Sequence, residues 1–279
     1  METLRFLGAE CRVDDSEIAL LGIPFDGTAS FRPGARFGPN SARIWSEVLE
    51  TYSPVFERDL GDLRLADAGD VGAMAAPGWE KVSDAVRKGV GKIVSVGSRP
   101  VLIGGEHLIT LPAVEECLET YPDLVVAQMD AHLDLRDEYQ GVRYSHATVM
   151  RRILEKVGKN RLIQFGVRSG TREEWELAGK ENTVVRDVES LAGALSGRPV
   201  YLTVDLDVLD PSVMPETGTP EPGGLAFIDL HEAILSLRGL NVIAGDVVEY
   251  CPHPGGGGPS GAVAAKVIRE IIFLIAERG

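Results

Sequence analysis

Three side chains with metal-binding chemistry alternate in Asp130-Ala131-His132-Leu133-Asp134. Residues two apart on an extended chain point to the same side. The spacing therefore converges two carboxylates and an imidazole for as long as the backbone stays extended. Oxygen donors with imidazole suit a divalent cation such as Mn²⁺. Alone, the stretch reads equally well as a solvated acidic loop. A second stretch, Thr203-Val204-Asp205-Leu206-Asp207-Val208-Leu209-Asp210-Pro211, repeats the grammar: an apolar run, then carboxylates at alternate positions. Two such stretches weigh against the acidic-loop reading. Asp210-Pro211 reads as a turn.

Both stretches follow segments that read as buried strands, 125–129 and 200–204, apolar and free of Gly and Pro. Further strands are expected at 17–23, 101–103 (after Pro100), 161–167 and 242–248. Helices are expected at 78–96, 109–119, 145–157, 171–179, 187–195 and 227–237. A shorter helix runs to Glu50 from a cap at Asn40 or Ser41, and a closing one from a Ser260 cap to about Glu277. A long Gly- and Pro-rich loop spans 25–39, loops hold 59–62 and 67–70, and the glycine run 254–259 reads as flexible. Alternating strands and helices imply a mainly parallel sheet covered on both faces. Ligands of such sheets bind beyond the carboxyl ends of the strands. His107, Asp130, Asp205 and Glu249 all stand just past strand ends, so four separate stretches deliver polar groups to one rim.

The 279 residues suit one large α/β domain or two small ones, and 44% hydrophobic residues supply a substantial core. No internal repeat or dividing linker stands out, so 1–279 reads as a single domain. A net charge of −14 argues against a nucleic-acid partner and fits attraction of a cationic substrate. Cys11, Cys117 and Cys251 are odd in number and lack CxxC spacing, which points to a reducing compartment. The start, Met1 to Arg5, has no long apolar region, and no segment has 18 uninterrupted apolar residues. The expectation is a soluble, cytoplasmic protein with no membrane partner.

The chain resembles the ureohydrolases, the arginases, agmatinases and their relatives. The resemblance is carried by Gly104-Gly105-Glu106-His107, Asp130 to Asp134, Ser145-His146, Asp205 to Pro211, Gly218-Thr219-Pro220-Glu221-Pro222-Gly223-Gly224 and Glu249. The loop from Phe25-Asp26 to Gly38-Pro39 is similar to the agmatinase branch in particular. The resemblance implies a three-layer α/β/α sandwich around a parallel sheet of about eight strands, assembled as a trimer or hexamer. It implies two Mn²⁺ per chain, one held by His107, Asp130, Asp134 and Asp205, the other by Asp130, His132, Asp205 and Asp207. Four carboxylates would balance the charge of two divalent ions. It further implies hydrolysis of a guanidino compound to urea and an amine, with Glu249 binding the cationic guanidinium and His146 passing a proton to the leaving amine. Asp134 is a further candidate proton relay.

Plainer roles remain open at this stage. His146 can simply begin a helix, and Glu249 can be a strand-end charge. His231 is expected on a solvated helix face, His253 is a weak candidate for the site entrance, and Cys251 reads as a packed thiol. Leu108 stands where the family often has Ser, and Glu249-Tyr250-Cys251-Pro252 departs from its common Glu-Val-x-Pro run. Arg136 stands where arginases usually have Asn, which disfavours arginine as substrate. The first expectation is hydrolysis of agmatine to putrescine and urea. The neighbouring substrates are aminopropylagmatine, guanidinobutyrate and arginine. A single-zinc deacetylase and a non-catalytic polyamine-binding protein are readings of other classes.

Overall fold

In the computed structural model the described residues are 4–71, 78–253 and 258–277. The strands, in chain order, are β1 (Ile18–Gly22), β2 (Tyr52–Ser53), β3 (Arg58–Asp59), β4 (Leu65–Asp70), β5 (Arg99–Ile103), β6 (Val125–Met129), β7 (Leu162–Phe165), β8 (Val184–Val185), β9 (Val200–Asp205) and β10 (Val242–Val248). Apart from the small antiparallel β2–β3 pair, they form one parallel eight-stranded sheet in the order β4-β1-β5-β10-β9-β6-β7-β8.

Among the described residues eight helices flank the sheet: α1 (Gly38–Ser46), α2 (Trp79–Ser95), α3 (Thr110–Thr120), α4 (Val149–Val157), α5 (Arg172–Glu181), α6 (Val188–Leu195), α7 (Phe227–Leu235) and α8 (Ser260–Ala276). Two separate cores show the layering. Val125, Ala127 and Met129 of β6 face the layer of α1, α6, α7 and α8, while Val126 faces that of α2 to α5. Alternate residues of a strand point to opposite faces, so each buried strand feeds both cores. The three-layer sandwich expected from the resemblance is present.

The differences lie at edges and termini. Residues 67–70, expected as loop, belong to edge strand β4, which pairs with β1 on one side and is met on the other by a single bridge from Cys11 to Ala66. Its Asp and Gly content hides it, because an edge strand needs little β-propensity once its neighbour supplies the ladder. The two-residue β8 closes the other edge. Helix α1 begins at Gly38 with Pro39 in its first turn, so neither Asn40 nor Ser41 caps it. Ser260 is the first residue of α8 and makes no cap; Pro259 precedes it. Thr171 and Asp187 do cap, accepting from Glu174 N–H and Ser190 N–H.

His231 is a correction: α7 packs on α8 along that face, leaving its side chain buried at 8% exposure, with Nε2 3.6 Å from Glu270. His253 is exposed and does not line the site cavity. Cys251 is the packed thiol expected, with Sγ 3.6 Å from the Pro33 carbonyl oxygen, and burial pushes it up to about 11. Of the glycine run, residues 254–257 lie outside the described residues.

Candidate active site

The four central strands β5, β10, β9 and β6 are neighbours in the sheet although their order in the chain is scrambled. Their carboxyl ends carry His107, Glu249, Asp205 and Asp130 respectively. Chain order reverses direction here, and open α/β sheets bind ligands at such a crevice.

Gly104 and Gly105 continue β5 into the rim. Their N–H groups donate to Val247 O and Ile23 O, both at 2.8 Å, and Glu106 N–H donates to Phe25 O at 2.7 Å. A Cβ on Gly105 would stand 1.8 Å from Phe25 O, so a side chain there is excluded. Next, His107 opens a 3-10 turn (His107–Ile109) and is buried. Its Nδ1 lies 3.0, 3.2 and 3.4 Å from oxygens of Asp130, Asp134 and Asp205. His132 Nδ1 lies 2.9 Å from Asp207 and 3.7 Å from the other oxygen of Asp130. Two clusters able to hold metal ions result: His107, Asp130 and Asp205, then Asp130, His132 and Asp207. Asp130 is common to both. Asp205 falls in the first, and Asp134 lies beside His107.

The electrostatics of the cluster ask for added positive charge. Burial, then the nearby Asp207 and Asp134, push Asp130 up to about 7. Burial and the same kind of repulsion raise Asp205 well above the carboxylate range. Burial alone would lower both histidines, but their carboxylate neighbours win. They push His132 up to about 11 and His107 well above its usual value. Despite its burial, Asp207 is held low by His132 and by the Ala131 N–H. His107 Nδ1 and Asp207 Oδ2 are buried yet make no hydrogen bond. Orphaned buried atoms are rare; here they are a ring nitrogen and a carboxylate oxygen aimed into one acidic cluster. The residues fit a pair of divalent cations.

Asp134 and Glu249 adopt left-handed backbone conformations, with φ of +53° and +64°. Non-glycine residues pay strain there, and such residues gather at functional sites. Glu249 is pinned in this turn. Its N–H donates to Gly105 O at 2.8 Å, and its Oε1 accepts from His107 N–H at 2.9 Å. A Cβ on Gly218 would lie 3.0 Å from Glu249 Oε2, so the Gly218 motif forms one wall beside the carboxylate. Burial, with Glu106 nearby, pushes Glu249 up to about 8.

His146 opens the 3-10 turn His146–Thr148, as a helix-start reading allows, but its ring is engaged. Its Nδ1 is 3.3 Å from Thr28 Oγ1, its Nε2 3.2 Å from Ser30 Oγ, and the ring stands edge-on to Tyr139. Burial lowers its pKa. A cavity of about 290 Å³ is lined by His107, His132, Asp134, His146, Asp205, Asp207 and Glu249; of the expected metal-binding and catalytic residues, Asp130 alone lies behind the wall.

Other supporting residues carried no sequence motif. Thr183 Oγ1 donates to Gln164, whose amide donates to Gln128, whose amide donates to Asp130 at 2.6 Å. This buried ladder aims the carboxylate shared by both clusters. His107 Nε2 is 2.9 Å from Thr203 Oγ1, fixing the far side of the ring. Arg168 donates to the carbonyls of Asp207, Val208 and Glu221, clamping the turn that carries Asp207. The available signal was polar side chains inside otherwise apolar strands, which need partners when buried.

This fold and site define a metal-centred hydrolase, and the chain belongs to the Arginase family, whose profile matches residues 16–274. Within that family it falls in the agmatinase branch of the ureohydrolases. It is 41% identical over 278 residues to an agmatinase of Pyrococcus horikoshii, covering 95% of this chain and 94% of the relative. It is 40% identical over 289 residues to an N(1)-aminopropylagmatine ureohydrolase of Thermococcus kodakarensis, covering 100% of this chain and 97% of the relative. Among solved structures, the agmatine ureohydrolase of Thermoplasma volcanium superposes with a TM-score of 0.88 at 31% identity, covering 99% of this chain and 96% of that one.

Proposed function

We propose that this hydrolase converts agmatine and water to putrescine and urea. The observation that carries the reading is Glu249: a buried carboxylate in a strained turn, on the wall of the same cavity as the two metal-binding clusters. Its hydrogen-bond partner is the His107 N–H, and no lysine or arginine among the described residues forms an ion pair with it. A buried carboxylate beside other carboxylates is costly unless a cation visits. A guanidinium is such a cation, and its planar fork matches a carboxylate.

His107, Asp130, Asp134 and Asp205 would hold one Mn²⁺, and Asp130, His132, Asp205 and Asp207 the other. Two divalent ions so held would supply Lewis acidity and lower the pKa of bound water. The chain does the rest. Glu249 orients the guanidinium plane, His146 gives a proton to the departing amine, and Asp134 relays protons at the cavity floor. Arg136 lines the cavity with its guanidinium 5.0 Å over the Tyr139 ring, a surface unlike the Asn that arginases usually carry there. The second reading, hydrolysis of aminopropylagmatine, is favoured by the Thermococcus kodakarensis relative, as similar as the agmatinases. We place the enzyme in the cytoplasm as a homo-oligomer, a trimer or hexamer; among the described residues no helix is long and apolar enough to cross a membrane.

Urea release from agmatine, aminopropylagmatine, guanidinobutyrate and arginine, with Mn²⁺ supplied, tests the reading. Agmatine should give the highest kcat/KM. Absence of urea from every guanidino compound would overturn it, and preference for aminopropylagmatine would select the second reading.

A further inference from the structure

We infer that Thr28, itself held by Glu106, is a positioning residue that fixes His146 in the Nδ1–H tautomer and leaves Nε2 as the atom that takes up and hands over the transferred proton. The inference rests on the proposed guanidine hydrolysis for its role in the reaction, though not for the tautomer itself.

The loop after β1 brings Thr28 to Glu106. Thr28 N–H reaches both carboxylate oxygens, at 3.0 and 3.2 Å, and its hydroxyl donates to Oε1 at 2.7 Å. A hydroxyl has one hydrogen and two lone pairs. With Glu106 ionised, as positive charge bound in the neighbouring acidic cluster would keep it, the hydrogen is committed to that carboxylate and Thr28 Oγ1 can only accept. It accepts the backbone N–H of His146 at 3.1 Å, and it faces the ring Nδ1 of the same residue at 3.3 Å. Two acceptors face to face would repel, so Nδ1 bears a hydrogen. In neutral imidazole the lone pair then sits on Nε2.

Nε2 points the useful way. Its neighbour is Ser30 Oγ at 3.2 Å, and Ser30 lines the cavity, whereas Thr28 does not. The basic nitrogen therefore faces the substrate side and the hydrogen-bearing one faces the protein. In turnover, protonated His146 releases Nε2–H to the amine nitrogen as the C–N bond breaks and the bonding pair stays on that nitrogen. His146 returns to the Nδ1–H form and takes its next proton at Nε2 from water in the cavity. Tyr139 packs edge-on against the ring and leaves both nitrogens free for these partners.

The test is ¹⁵N solid-state NMR of histidine-labelled full chain loaded with diamagnetic Mg²⁺, the His146 signal being identified by its loss in His146→Gln. Wild type should show a protonated Nδ1 and a bare Nε2. Thr28→Val removes the acceptor while keeping the shape, and should move His146 toward the Nε2–H form. With Mn²⁺ and agmatine it should lower kcat by roughly 10-fold or more, toward the ~10⁴ that a wholly wrong tautomer costs, with little change in KM. Thr28→Ser should restore both the spectrum and kcat. A bare Nδ1 in wild type overturns the inference even if Thr28→Val fails to fold, as does Thr28→Val with an unchanged Nδ1–H signal. Urea release alongside a bare Nδ1 would leave the proposed function standing and remove this inference alone. The expected tautomer without any guanidine hydrolysis would do the reverse.

Discussion

Glu249, His146 and Asp130 make separable contributions, and single substitutions tell them apart. Glu249→Gln keeps the shape and removes the charge that a guanidinium would meet. Truncating one side of a buried charge pair costs about 2–5 kcal/mol, so kcat/KM for agmatine should fall by that amount while bound metal is retained. Near-normal kcat/KM would place the guanidinium elsewhere. His146→Ala should lower kcat by roughly 10²–10⁴-fold, the range for a lost general acid-base group. Its metal content, read by elemental analysis, should be that of wild type, because the His146 ring touches Thr28, Ser30 and Tyr139 rather than the carboxylate clusters. Asp130→Asn differs from both: Asp130 belongs to each cluster, so this variant should lose metal as well as turnover. Two tightly bound ions in Asp130→Asn would refute the shared-ligand arrangement.

At the scale of elements, the site depends on how adjacent strands are braced. The ladder from Thr183 through Gln164 and Gln128 ties the loop before β8, β7 and β6 to Asp130. Gln164→Leu keeps the volume but strands the hydroxyl of Thr183, the amide oxygen of Gln128 and the Leu133 carbonyl in a buried place. Each unsatisfied group costs about 1–3 kcal/mol, so thermal unfolding should shift to lower temperature. A carboxylate no longer held in orientation should also bind metal about 10–100-fold more weakly, measured by titration calorimetry. A Gln164→Leu protein that is less stable but binds metal with wild-type affinity would reduce the ladder to a packing feature.

Considered as a whole molecule, the acidic cluster links stability to pH and to metal. With metal removed by a chelator, Glu106 and Glu249 are each pushed up to about 8, chiefly by burial. A carboxylate whose pKa is raised by folding binds its proton more tightly in the folded state. Between an unfolded value near 4 and the folded value near 8, the folded chain holds the extra proton, so stability falls as pH rises. His132, pushed up to about 11, acts in the same direction above its unfolded value near 6.5. The chelated protein should therefore melt at a lower temperature at pH 8 than at pH 6. Mn²⁺ should raise Tm at both pH values, and more at pH 8, where Asp130, pushed up to about 7, has given up its proton and is free to bind it. Equal gains at both pH values would show that Asp130 is not a metal ligand.

Much of this protein is determined by local periodicity, which any stretch of chain carries by itself. Alternation in Asp130-Ala131-His132-Leu133-Asp134 aims the polar groups one way, and unbroken apolar runs such as Val242 to Val248 declare the central strands. The edge strands escape that signal because β4 has a full neighbouring strand on one side only and β8 has two residues, so neither needs an apolar pattern. The burial of His231 depends on where α8 lies, which no spacing within α7 reveals. The conformations of Asp134 and Glu249 follow from contacts across the rim, such as Glu249 N–H to Gly105 O, and not from their own preferences. Tertiary structure alone sets β10 and β9 between β5 and β6, and so turns four separate strand ends into one site. It also brings Thr28 to His146 across 118 residues, so that Nδ1 faces the Thr28 hydroxyl and Nε2 faces Ser30 on the cavity side.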